Sequence, residues 1–226
     1  MRGKSTLTFS RLDDRVLVRK GCTLYYGLPP VLRPEPPEII EHTVHNGPDQ
    51  MSGVTKPKAL HHMTMPARRL VERIVKEIVV DEKFMEVALE EARRAGSEGE
   101  VPVGAVLVKN GDIIGRDHNR CIQFNDPTAH AEILVIRKGG EVLGSYRLVD
   151  TTLYVTVEPC PMCVGAITHG RIVRLVYGTP DEKTGAVSSR FTLLNDPRLN
   201  HRVEVRGGIL RRECSDILQG FFKEKR

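Results

Sequence analysis

Three side chains in this sequence have the chemistry and spacing of a metal centre, and a fourth stands where a proton carrier would be needed. Cys160-Pro161-Met162-Cys163 follows directly on Pro159, His130 lies thirty residues before the first cysteine, and Glu132 comes two residues after that histidine. A CxxC pair by itself admits three readings: a redox dithiol, half of a closed structural zinc site, or two ligands of a catalytic zinc site. A redox pair has no use for a distant His-x-Glu. A closed site takes four ligands, usually a second CxxC or a His pair, yet Cys22, Cys121 and Cys214 are isolated from one another. Two cysteines and one histidine leave one tetrahedral position for water, which is how a catalytic zinc site differs from a structural one. Two thiolates already neutralise a divalent ion, so a metal held this way acidifies water less than it would among three histidines. Glu132 supplies the missing base, taking the water proton and handing it on. The Cys₂His set favours zinc, one ion per chain.

These residues act together only if the chain brings them to one place. Thiolates are favoured at helix N-termini, where free N–H groups and peptide dipoles stabilise negative charge. Cys160–His169 accordingly reads as a helix ended by Gly170, entered from a short buried strand at Leu153–Val157. Ala129–Lys138 reads as a second helix, ended by Gly139-Gly140, with His130 at its start. Val103–Lys109 and Asp112–Asp117 are strands joined by Asn110-Gly111, a two-residue hairpin signal. Arg171–Tyr177 is a further strand, Arg202–Val205 an edge strand, and Arg211–Phe222 a closing helix. Strand–helix–strand repetition with short connections predicts parallel pairing in an α/β sheet covered by helices on both faces.

Upstream, Leu70, Val71, Ile74, Val75 and Ile78 recur at three- and four-residue steps, a helical lead-in over 67–80. A second amphipathic stretch, Phe84 to Ala92, stops at Gly96. Residues 1–66 show no sustained period and contain the Pro-rich run Leu28–Pro37, so disorder is the expectation there. Four readings of this extension compete: a disordered tail, an RNA-contacting arm, an organelle transit peptide, or upstream sequence joined to the gene. Asp13-Asp14 argues against a transit peptide. The favoured reading is a mis-placed start, with Met63, Met65 or a GTG-coded Val80 as the native one.

Composition narrows the classes. The chain of 226 residues has 40% hydrophobic and 28% charged content, as soluble globular proteins do. No apolar run approaches the roughly 20 residues of a membrane helix, and no secretory signal precedes a cleavage site. Five cysteines, an odd number, argue against a disulfide framework and for a reducing, cytoplasmic setting. The net charge of +5 arises in residues 1–80, with 13 basic against 8 acidic side chains. Residues 198–226 nevertheless carry eight basic and four acidic groups. That charge permits an RNA partner without demonstrating one.

His-x-Glu followed by Pro-Cys-x-x-Cys is the known signature of zinc nucleobase deaminases. Beyond that signature, residues 81–226 resemble the bacterial tRNA-specific adenosine deaminase family over nearly their full length. The likeness runs through Val101–Val106, Asn119, Asp126–Glu132, Leu153–Ala166, Asp181–Ala186, Leu199–Glu204 and Phe221-Phe222 with the basic residues after it. The His-Ala-Glu and Pro-Cys-x-x-Cys pieces belong to a wider superfamily, whereas the Asp181–Gly185 loop, Asn200–Val203 and the Phe-Phe-basic end are particular to the tRNA enzymes. The resemblance implies a three-layer α/β/α domain with a five-stranded mixed sheet, a homodimer, and hydrolysis of the wobble adenosine of a tRNA anticodon to inosine. It implies His130, Cys160 and Cys163 as zinc ligands and Glu132 as the catalytic proton shuttle. Asn119 matches the residue that holds the base, Asp181 a residue of the nucleotide-binding rim, and Phe222 a C-terminal helix that meets the anticodon stem-loop. From the residues alone, Asn119 also fits a turn after a strand, Asp181 a helix N-cap or turn acid, and one of Phe221 and Phe222 core packing. No membrane and no nucleotide cofactor are expected.

This chain departs from the family at Ser188, where a second Gly is usual, and at Arg190, where an apolar residue is common. The alternative function is a deaminase of free guanine, cytosine or a nucleoside in the same superfamily, which would share every zinc-site residue. A zinc-stapled RNA-binding module without catalysis is a third reading, and Glu132 argues against it.

Overall fold

In a computed structural model of the chain, the described residues are 7–12, 15–20, 23–25 and 65–225. They fall in two units, Met1–Val80 and Asp81–Arg226. In the first, β1 (Leu7–Leu12), β2 (Arg15–Lys20) and β3 (Thr23–Tyr25) form an antiparallel sheet, with Phe9 opposite Val18 and Val18 opposite Tyr25. The sequence reading does not anticipate these strands; the alternation is short, and turn and proline residues follow it closely. The Pro-rich run Leu28–Pro37 and Met63 lie outside the described residues.

Helix α1 (Met65–Ser97) is continuous, joining the two amphipathic stretches that the sequence presents separately. Then come β4 (Gly104–Lys109) and β5 (Asp112–His118), whose turn has positive φ at both Asn110 (53°) and Gly111 (89°). That pair of angles is what a two-residue hairpin requires, and Asn and Gly are the residues that tolerate it. After the short helix α2 (Cys121–Phe124) follow α3 (Ala131–Leu143), β6 (Thr151–Val157), α4 (Pro161–His169), β7 (Arg174–Thr179), β8 (Glu204–Gly207) and α5 (Arg211–Glu224). The sheet order is β5-β4-β6-β7-β8. β4 is antiparallel to β5 and β6, while β6, β7 and β8 run parallel, so the sheet is mixed.

Helices α3 and α4 cover one face. Val135, Val164 and Ile167 pack there with Leu107, Leu153, Val155 and Leu175 in the main apolar core. On the other face α1 lies so close to β4 that a Cβ on Gly104 would stand 2.1 Å from the Ala88 carbonyl oxygen. Phe84 packs on Tyr154 with ring centroids 5.1 Å apart, and α5 sets Cys214 against Gly178 of β7. Three layers result. Asp81, 1% exposed, ties the start of this unit to the sheet by accepting from Arg174 (2.7 and 2.8 Å), Arg206 (2.9 Å) and the Tyr154 hydroxyl (3.0 Å).

Several expected boundaries shift, the edge strand lying at Glu204–Gly207 rather than Arg202–Val205, and two of the shifts have a visible cause. α3 passes through Gly139-Gly140 and ends at Gly144, whose φ of 58° forms the left-handed cap. Gly139 is a packing residue instead: a Cβ there would fall 2.3 Å from Leu107 Cδ2. The strand expected from Arg171 begins at Arg174, because Arg171 itself has a positive φ of 60°.

Candidate active site

The site forms where two helices begin beside the end of β6. Asp126-Pro127-Thr128 makes the turn into α3: Asp126 Oδ1 accepts the Thr128 N–H at 2.8 Å and its hydroxyl at 2.7 Å. The next helix starts at His130, in extended conformation as N-cap, with Glu132 in its first turn. Cys160 is likewise the N-cap of α4, and Pro161 takes a first-turn position where its missing N–H costs nothing. Cys163 lies one turn further on and is buried.

The donor atoms converge. Cys160 Sγ is 3.7 Å from Cys163 Sγ and 3.8 Å from His130 Nδ1, and Cys163 Sγ is 3.6 Å from that nitrogen. Tetrahedral zinc, with bonds of about 2.3 Å to sulfur and about 2.0–2.1 Å to nitrogen, places sulfur atoms about 3.8 Å apart and sulfur about 3.6 Å from nitrogen. The three residues therefore fit a single tetrahedral metal ion. A hydrogen bond from the Cys163 thiol, and then one from His130, holds Cys160 down to about 4; the same bond and burial push Cys163 up. His130 is raised, chiefly by its bond to Cys160.

Glu132 is 3% exposed and touches Cys163. Burial raises its pKa, which suits a carboxyl that must both take and return a proton. Asn119, just after β5, is 8% exposed, and its Oδ1 accepts the Ala131 N–H at 2.9 Å. The amide is thereby fixed between His130 and Glu132. Among the described residues none accepts from its Nδ2, so that donor remains for a ligand.

Asp181 is brought to the same end of the sheet as a turn acid. It accepts the N–H groups of Lys183 (2.9 Å) and Thr184 (3.3 Å) and the Thr184 hydroxyl (2.5 Å). Phe222 on α5 is 47% exposed, whereas Phe221 is half-buried beneath Lys225, whose Nζ lies 4.9 Å from the ring centroid. The two rings meet edge-on at 5.5 Å.

Two residues carry weight that the motifs do not announce. Glu158, between β6 and Pro159, is 3% exposed. Its Oε1 accepts the N–H groups of Val187 (3.0 Å), Ser188 (2.7 Å) and Ser189 (3.0 Å), and its Oε2 accepts from Asp181 N (3.2 Å) and the Ser189 hydroxyl. His118, fully buried at the end of β5, has Nδ1 3.1 Å from Glu91 Oε2 and Nε2 3.0 Å from Glu98 Oε2, which fastens the strand to α1 immediately before Asn119. Ser188, the departure from the family's glycine, is not in the left-handed region, and its hydroxyl bonds the Tyr177 hydroxyl at 2.6 Å. Nothing in the structure explains Arg190.

Comparison with known proteins identifies the family. Residues 79–226 match the MafB19-like deaminase family. The tRNA-specific adenosine deaminase of Haemophilus influenzae is 53% identical over 147 residues, covering 65% of this chain and 85% of that protein. A solved structure from work on A-to-I editing by tRNA:A34 deaminases is 51% identical, with a TM-score of 0.59 over 60% of this chain and 99% of that one. The guanine deaminase from Nitrosomonas europaea, at 22% identity and a TM-score of 0.56 over 62% of this chain and 83% of that one, shares the fold alone. By fold, site and relatives, the chain belongs to the tRNA-specific adenosine deaminase family.

Proposed function

We propose that this chain hydrolyses the wobble adenosine of tRNA anticodons to inosine, using one zinc ion held by His130, Cys160 and Cys163. The reaction rests chiefly on one observation: three donor atoms 3.6 to 3.8 Å apart, with the buried Glu132 beside them. The substrate rests on the 53% identity to a tRNA-specific adenosine deaminase.

A zinc ion in this position supplies Lewis acidity, easing loss of a proton from water. The chain's own residues do the rest. Glu132 takes that proton and delivers it to the ring nitrogen next to the reacting carbon. The water oxygen bonds to that carbon, Glu132 carries the remaining proton of that oxygen to the amine, and the carbon–amine bond breaks to release ammonia and leave a carbonyl. Asn119 Nδ2 donates to the base edge and holds it in register. Asp181 and Phe222 stand at the rim, where Asp181 Oδ2, which among the described residues accepts only from the Thr184 hydroxyl, keeps capacity to accept from a nucleotide. An anticodon loop presents bases already free of a duplex, so little unstacking energy is spent before the chemistry. A homodimer working in the cytoplasm belongs to the same proposal.

The test is a substrate panel. Zinc-loaded protein is incubated with unmodified tRNAs, free guanine, cytosine and adenosine, and inosine, xanthine and uracil are quantified by mass spectrometry. Inosine confined to the wobble position is the expected product. Turnover of free guanine or cytosine with unchanged RNA would move the assignment to the base deaminases.

A further inference from the structure

We infer that Glu158 is a positioning residue: its buried carboxylate fixes the rim loop 181–189, and Asp181 in particular, against the turn that carries Cys160. The inference rests on the reading above, in which Asp181 contacts the RNA. Four backbone N–H groups and one hydroxyl of the loop converge on this carboxylate, three on Oε1 and two on Oε2. A second link runs beside it, from Ala186 N–H to the Pro159 carbonyl at 2.8 Å. Glu158 itself is anchored in the sheet, its N–H bonded to the Thr179 carbonyl at 2.9 Å. Gly185 marks how tightly the loop is drawn down: a Cβ there would meet the Glu158 carboxylate at 2.6 to 2.7 Å and the Asp181 carbonyl oxygen at 2.5 Å.

The two oxygens have different duties, and that makes the inference testable. Glu158→Gln keeps one oxygen, which can still accept from Val187, Ser188 and Ser189. The new amide then faces Asp181 N–H, donor against donor, while the Ser189 hydroxyl can turn to accept. Glu158→Gln therefore loosens Asp181 selectively and leaves the rest of the loop attached.

A mutant cycle reads this out. Glu158→Gln, Asp181→Ala and the double variant are assayed on an anticodon stem-loop, with zinc-to-protein ratio measured for each. Each single change is expected to raise KM about tenfold, the worth of one charge-assisted hydrogen bond, with zinc content unchanged. In the double variant Glu158→Gln should add less than about twofold, because both act through one contact. Multiplicative losses, or loss of zinc from Glu158→Gln, would overturn the inference. If Glu158→Gln does not yield folded protein, Gly185→Ala enters the same cycle, since it lifts the loop from the carboxylate without altering it. A silent Asp181→Ala refutes the RNA contact itself; a damaging Asp181→Ala beside a silent Glu158→Gln refutes only the role of Glu158.

Discussion

Asn119 Oδ1 accepts the N–H of Ala131 at 2.9 Å, so the residue leaving β5 is fastened to the residue between His130 and Glu132, the proposed metal ligand and proton carrier. In the proposed function one amide does two jobs: its oxygen holds the Ala131 N–H and its nitrogen donates to the base. Substitution separates them. Asn119→Asp keeps the acceptor and loses the donor, so kcat/KM should fall at least about 100-fold, as when a site's buried polar groups lose their pairing with substrate, with little change in Tm. Asn119→Ala loses both. It should match that loss of activity and also cost about 1–3 kcal/mol for the stranded Ala131 N–H, or about 2–4 °C of Tm per kcal/mol. Steady-state kinetics with thermal melts check both.

Glycine positions separate packing from helix propensity. Gly104→Ala sets a Cβ against backbone atoms of α1, 2.1 Å from Ala88 O and 2.5 Å from Ala92 N. Backbone cannot step aside cheaply, so a loss of about 3 kcal/mol or more is expected. Gly165, inside α4, meets nothing within 4 Å, and Gly165→Ala should stabilise by about 0.5–1 kcal/mol. Opposite shifts in denaturant midpoint are the prediction; a shared sign would refute the packing account.

Removing the metal with a chelator should reveal the cysteines in a set order. Only thiolates alkylate. Cys160, held down to about 4, is already ionised at pH 6, so its rate should stay flat to pH 8. Cys121 is raised by burial and then by Glu100, so its rate should climb about tenfold per pH unit. Cys214, buried and pushed up to about 12, should stay unmodified in folded protein. Peptide mass spectrometry of iodoacetamide-treated samples reports each site, and with zinc restored Cys160 should be protected.

The clustering of the four candidate residues was legible in the sequence because they are local to helix starts: His130 and Glu132 share one first turn, Cys160 and Cys163 another. The Asn110-Gly111 hairpin was legible for the same reason, since two adjacent residues determine it. Gly139 misled because glycine marks both a helix stop and a close contact, and only the position of Leu107 decides between them. Glu158 had no sequence signal. Its partners are mostly backbone N–H groups 23 to 31 residues away, which any residue but proline would offer. Asp181 was legible both as a residue of interest and as a turn acid, and the fold adds which groups its carboxylate holds: the Lys183 and Thr184 N–H groups and the Thr184 hydroxyl.

Glu132→Gln tests the central claim most directly, because it keeps the side chain's shape and removes its ability to take a proton. Wobble inosine formed on tRNA and zinc per chain should be measured on the same preparation. Zinc content equal to the parent with a rate lower by about 10²–10⁴-fold is predicted. A Glu132→Gln protein that retains its zinc and forms inosine at the parent rate would contradict the account.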